Sequence, residues 1–448
     1  MNSATSTSAD ILWPAAAELV EQVRLGKGAD CLSATGALQA WHRTTGRFAE
    51  GRFSDVSVQR GTATALCYVR ADGFEHLSRS GIDPRAAARG DGALTAPTAH
   101  PRAPGWMEMS AVQLVLAEVD AAARAFDPAV AQVVVDFDLG AQDLVLADDE
   151  ALHPESRLLS YLTIRVVARR GGRVATGFYT PGLSGELSGI DPAASGAEVA
   201  ARAVVGLDAR PAPVGRMPVV VAGGRGIVML HEACCHPLEG DEVLRGSVYA
   251  GRMGEAVASP LVTIIDDPTA PGAVGSYGRD DEGVPAAPTT LIQDGVLAGY
   301  LTDRDSAARL GRGSSGNGRC GTVLQPPLPR MSNTCLAEGT SSVADIVADT
   351  EFGIYAQHVG GGEVIESTGE FTFRVTNGAL IENGRITDPV EETTITGTGT
   401  SVLADIDAVG DDPATGAAKC GKFGQWVPVG VVGPTLRVRS LLVGGTGA

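Results

Sequence analysis

At 448 residues the chain exceeds what one compact core usually holds, so two domains of roughly 200 residues each are expected. Hydrophobic residues make up 44% and charged residues 20%, a globular composition that excludes a disordered chain. A net charge of −18 without a Lys/Arg run argues against nucleic acid as a partner, and no window of about eighteen uninterrupted apolar residues offers a membrane span.

The opening MNSATSTSAD, read as a disordered tail over residues 1–10, carries no basic or apolar leader region. Seven cysteines, an odd number scattered along the chain, fit free thiols or metal ligation better than a disulfide framework, so a cytoplasmic protein is expected. A first helix is predicted from Pro14, stopping near Gly26. Strands follow, with a hairpin turn at Asp72-Gly73. Val112, Val115, Val119, Ala122 and Phe126 recur at helical spacing. The apolar run from Leu162 turns at Gly171-Gly172, and a further helix spans 195–208. The Pro-rich ARPAPVGR at 209–216 is read as the linker between an N-terminal α+β domain (11–208) and a β-rich C-terminal domain (217–448).

Beyond the linker, MPVVVAG is a short buried strand leading into a helix that opens the second domain. Turn pairs at Asp294-Gly295, Asn377-Gly378 and Asn383-Gly384 predict antiparallel hairpins. Short helices are predicted at 303–311 and 341–351, the second with Ser342 and Asp345 spaced as a capping box. The fold class is therefore α+β, two domains of mostly antiparallel sheet with helices.

The chemistry concentrates in MLHEACCHPLEGDE, residues 229–242, where His231 and His236 flank Glu232. On a regular α-helix, residues five apart diverge by about 140°, so the two imidazoles could not meet one ion. Pro237 disfavours the α conformation at His236, so the helix should end or kink there and swing His236 round to His231. A catalytic zinc takes three protein ligands and leaves a position for water, so a third His, Cys or carboxylate must come from elsewhere. Glu232, tethered beside a ligand, fits a general base. The competing reading makes His231 and Glu232 a satisfied polar pair at a helix end.

The sequence HEACCHPLEGD resembles the TldD/PmbA family of metallopeptidases, whose H-E-x-x-x-H helix supplies two zinc ligands and whose C-terminal cysteine supplies the third. KCGKFGQWVPVGVVGPTLRV at 419–438, PRMSNTCL at 329–336 and the glycine-rich 360–387 carry the same resemblance, which covers roughly residues 195–448. It implies zinc ligation by His231, His236 and Cys420, with Glu232 as the base. Lys419 and Lys422 beside Cys420 are expected to favour its thiolate. The chain departs from the family at Cys235 and Pro237, where small glycines are usual, with Cys234 alongside. Either thiol could replace Cys420 as a ligand, or the vicinal pair could oxidise; simple packing is the expectation. The substitutions also put substrate choice in question.

The resemblance further implies a dimer, either a homodimer or a heterodimer with a TldE/PmbA-like partner that lacks the metal motif. The expected reaction is hydrolysis of amide bonds in unfolded peptides or small peptide-derived substrates. Two alternatives stand beside it: a tailoring amidohydrolase acting on a peptide-derived natural-product intermediate, and a non-catalytic zinc-stabilised peptide-binding subunit. Arg330 and Asn333 are candidates to hold a peptide carboxylate or backbone, or form a structural turn. The glycine loop AGGRG at 222–226 lacks the G-K-[ST] ending of a nucleotide loop. His358 is read as a strand residue before a metal-supporting one, and Asp266, Asp267 and Asp280 to Glu282 as solvated loop charges.

Overall fold

The computed structural model describes residues 31–70, 73–80, 108–148, 151–365 and 368–444. The N-terminal tail, the helix predicted near Pro14 and the turn residue Asp72 lie outside them.

Alternating residues build a sheet of long antiparallel strands, because a period of two puts one set of side chains on each face. The strands are β1 (Cys31–Ala49), β2 (Arg52–Arg70), β3 (Gly73–Ser80), β4 (Val130–Ala147), β5 (Leu152–Arg170) and β6 (Arg173–Tyr179), ordered β3-β2-β1-β4-β5-β6. The paired glycines 171 and 172 make the β5–β6 turn with positive φ, as predicted. Helices α1 (Met109–Phe126) and α2 (Pro192–Gly206) cover one face, packing Val112, Leu116, Val119 and Val199 against Val133, Val135, Leu162 and Ile164. The buried stripe of α1 runs through Leu116 and Ala123 rather than Val115 and Ala122, and Phe126 at the helix end is 47% exposed. Asp191 caps α2 by accepting the Ala194 N–H, with Pro192 in the first turn, where a missing donor is harmless.

Among the described residues no sheet crosses 209–216. Next comes β7 (Gly215–Val221), whose Val219 and Val221 sit in the second core. It pairs in parallel with Phe352–Ile365, which pairs with Glu370–Glu382, then Thr393–Thr398, then Leu436–Gly444, which returns antiparallel to β7. The pairing therefore closes into a five-stranded ring, which removes its free edges. A second sheet orders Val296–Leu297, Thr289–Gln293, Ile264–Asp266, Asn333–Leu336, Gln425–Gly433 and Ala414–Lys422, leaving the last strand at an edge. The architecture is mostly antiparallel β with flanking helices, the fold class read from the sequence.

Asp294-Gly295 and Asn383-Gly384 form the predicted turns, all four residues at positive φ. Asn377-Gly378 does not. These residues lie inside the strand Glu370–Glu382, opposite His358 and Ala356 at an irregular register, and a Cβ on Gly378 would stand 3.1 Å from the Tyr355 carbonyl. Close backbone approach, not a turn, explains that glycine. The two short helices form at Arg304–Arg309 and Val343–Ala348, capped by Asp303 and Ser342. At the second, the Asp345 carboxylate takes the Ser342 hydroxyl proton, so the box is only half formed.

Candidate metal centre

After β7 the chain makes a 3-10 turn, Gly224–Ile227, and then a π-helical turn, Leu230–Cys235. The His236 N–H bonds to the His231 carbonyl, five residues back. A turn closed at that spacing stacks residues five apart, as an α-turn stacks residues four apart. The two rings lie 5.3 Å apart between centroids. The π-turn ends at Cys235, as the expected stop near His236 requires, but the expectation that Pro237 keeps His236 out of the α conformation is corrected. His236 keeps α dihedrals (φ −54, ψ −43), and Pro237 enters a following 3-10 turn that needs no N–H from it. The wide turn is seated by tertiary packing: a Cβ on Gly399 would come 2.1 Å from the Ala233 carbonyl, so only glycine lets the turn settle there.

The structure brings His231, His236 and Cys420 together, their ligand atoms all within 4.8 Å of one another. Each imidazole is held from behind. His231 Nδ1 meets Thr334 Oγ1 at 2.9 Å; that hydroxyl points its proton at Met331 Sδ, so its oxygen accepts from Nδ1–H. His236 Nδ1–H donates to Glu239 Oε2 at 2.9 Å. Both Nε2 atoms therefore face inward. His236 Nε2 lies 3.1 Å from Cys420 Sγ, while His231 Nε2 is buried without a hydrogen-bond partner. An orphaned buried nitrogen beside a thiol and a second imidazole is a donor set that could hold a metal ion.

Burial pushes the Cys420 thiol up, but the charge of His236, 3.1 Å away, with His231 beside it, outweighs it and brings it down to about 5. Lys419 and Lys422 do not do this, contrary to the sequence expectation. Lys422 instead lies 2.7 Å from both Glu239 and Asp241, and Lys419 pairs with Asp138. Burial also pushes Glu239 up, but the charges of His236 and Lys422 hold it well below the usual carboxylate range. Glu232 stands 3.4 Å from His236 Nε2. Burial raises it too, yet the hydrogen bond with His236 and the charge of His231 hold it down to about 2.

Glu232 and His236 line a cleft of about 710 Å³, whose other walls come from β4 and β5 (Asp138, Tyr161) and the edge hairpin (Lys419, Phe423, Trp426). Cys234 and Cys235 do not join the ligand group. Both are fully buried in the ring core, and burial raises both thiols. Arg330, fully buried, donates to the Cys420 carbonyl at 2.7 Å, and Asn333 ties Gly275 to Asp267; both are supports rather than carboxylate holders. His358 is a strand residue bonded to Thr376 Oγ1, away from the ligand group.

The expected solvated acids Asp266, Asp280, Asp281 and Glu282 are in fact buried. Polar donors inside the fold replace water for them. Asp266 accepts from Ser332 and Asn317, Asp280 from the N–H groups of Glu282, Val284 and Gly318, Asp281 from Arg157, and Glu282 from the Arg304 N–H. Sequence reasoning missed Glu239 and Thr334. The carboxylate three residues after His236 was a readable signal; Thr334, 103 residues from His231, was not.

Residues 214–445 match the PmbA/TldA metallopeptidase C-terminal domain. A metalloprotease TldD homolog of Haemophilus influenzae is 39% identical over 343 residues, covering 73% of this chain and 70% of that one. A metalloprotease of Methanothermobacter thermautotrophicus is 37% identical, covering 72% of each. The chain spans about half the length, 51%, of the TldD homolog of Buchnera aphidicola from Acyrthosiphon pisum, at 41% identity over 54% of this chain. Among solved structures, TldE from Thermococcus kodakarensis superposes with a TM-score of 0.73 at 16% identity, covering 95% of this chain and 99% of that one. This last likeness is one of fold.

Proposed function

Because the chain belongs to the PmbA/TldD metallopeptidase family, we propose that it is a zinc hydrolase of amide bonds in unfolded or small modified peptides, with His231, His236 and Cys420 as ligands and Glu232 as general base. The carrying observation is the convergence of two inward-facing Nε2 atoms and one low-pKa thiol beside a cleft that Glu232 lines. Two nitrogens and a thiolate suit zinc, and three protein ligands leave a position for water. Bound zinc would polarise the scissile carbonyl and make a water more acidic. Glu232, ionised at neutral pH, takes the water proton and delivers it to the leaving amine. Glu239 and Thr334 fix the imidazole orientations, and Arg330 braces the backbone at Cys420.

Strand-built walls around the cleft favour an extended peptide. The same reading takes residues 209–216 as the linker, and a second copy or a TldE/PmbA-like subunit as the partner. It places the protein in the cytoplasm, where thiols such as Cys67, Cys320 and Cys335 stay reduced. The test compares zinc content and cleavage of unstructured peptides in the wild type and Glu232→Gln. The expected result is about one zinc per chain in both and cleavage only in the wild type. Equal cleavage by the two would remove Glu232 from the mechanism.

A further inference from the structure

Most cations around the cleft have carboxylate partners: Lys422 pairs with Glu239 and Asp241, and Lys419 and Arg43 share Asp138. Arg225 is different. It lines the cleft with Glu232 and His236, and its Nη1 donates to the Ala417 carbonyl. Its Nε is buried without a partner, and among the described residues no carboxylate reaches ion-pair distance. Tyr161, Tyr179, Arg202 and Glu232 are the titratable groups whose charges it feels. A guanidinium stays protonated at neutral pH, so this is a standing positive charge, poorly solvated, on a residue that lines the cleft.

Resting on the peptidase reading, we infer that Arg225 docks a carboxylate of the substrate, the C-terminal one of a short peptide, next to the scissile bond. Arg225 reaches the cleft from the 3-10 turn Gly224–Ile227, directly ahead of the π-turn that carries Glu232. Its bond to Ala417 fixes the guanidinium against the strand that holds Cys420. Arg225 and Glu232 line the same cleft and attract each other without forming an ion pair. The other cations of the lining, Lys419 and Lys422, are already paired with Asp138, Glu239 and Asp241, so Arg225 is the cation left to take a carboxylate there and orient the peptide by it. The planar fork of Arg225 matches a carboxylate in a way a lysine does not.

Binding, measured by calorimetry on zinc-loaded Glu232→Gln protein, tests this without turnover. The probes are Ala-Ala-Ala-Ala, its C-terminal amide, and amidated Ala-Ala-Ala-Glu. The free acid should bind roughly 10- to 100-fold more tightly than either amide. Adding Arg225→Gln should bring the acid down to the amide, and Arg225→Lys should restore part of the difference. Zinc content and thermal midpoint report that each variant is folded. Equal binding of acid and amide, no binding of any probe, or discrimination that survives Arg225→Gln overturns the inference. Full affinity for amidated Ala-Ala-Ala-Glu overturns the terminal assignment. Failure of the peptidase reading shows elsewhere, as a wild type no more active than Glu232→Gln.

Discussion

The two sides of the candidate metal centre are held by unequal means. His231 and His236 sit on a turn wedged into the closed-ring core, with Leu230, Ala233, Cys234 and Cys235 packed around them and an outer partner behind each imidazole. Cys420 rides on an edge strand whose hairpin ends in Phe423 and Trp426, 60% and 65% exposed. The histidine side is therefore preorganised by burial, while the cysteine side depends on a few fastenings: Arg330 at the Cys420 carbonyl, Tyr161 at the Ala418 carbonyl and Lys422 on Glu239. Lys422 links the sides, because the carboxylate that orients His236 also anchors the strand carrying Cys420.

That contrast can be broken at its weaker side. Cys420→Ala should lower zinc affinity by more than the roughly 100-fold of losing an outer partner, while the metal-free protein keeps its thermal midpoint within a few degrees. Chelator competition and a metal-free melt read both quantities. Zinc retained within tenfold would mean that another donor completes the site.

Glu239→Gln attacks both sides at once. It should weaken zinc about 10- to 100-fold and, by leaving Lys422 with Asp241 as its remaining close partner, destabilise the fold by about 1–3 kcal/mol. Thr334→Val, touching only His231, should weaken zinc without a comparable loss in urea unfolding. If the two variants unfold alike, Lys422 does not join the sides as described.

The smallest effect lies at the hairpin tip. Phe423 holds φ at 48° beside Gly424 at 77°, the two-residue turn geometry that favours Asn-Gly, although its ring stacks under Arg245 at 4.8 Å. Phe423→Asn should therefore stabilise by about 0.5–1 kcal/mol, the relieved strain exceeding the lost stacking. A lower unfolding midpoint would show the aromatic contact to dominate.

Much of the site was legible because its chemistry is written locally. His231, Glu232 and His236 fall within six residues, and Cys420 lies in a recognisable segment. Hairpins with residues at positive φ, such as Asp294-Gly295, were legible for the same reason: the conformational demand falls on the residues that form the turn. Asn377-Gly378 shows the limit, since the same dipeptide serves close packing inside a strand. Asp266 and Asp280 show another, because their donors Ser332, Asn317 and Gly318 are 38 to 66 residues away.

Sequence by itself determined the fold class, the family likeness and the identity of the residues that converge, since periodicity, turn chemistry and motif are properties of short stretches. Only the tertiary structure decided how His231 and His236 come to face each other. π-turns are rare in isolated segments, and contact with Gly399 and the ring core favours the wide turn here. It likewise decided that Thr334 and Glu239 stand behind the imidazoles, that Lys422 serves Glu239 rather than the thiol, and that Arg225 keeps its charge without a carboxylate. Each of these depends on which distant group displaces water from a polar atom, and chain order does not record that.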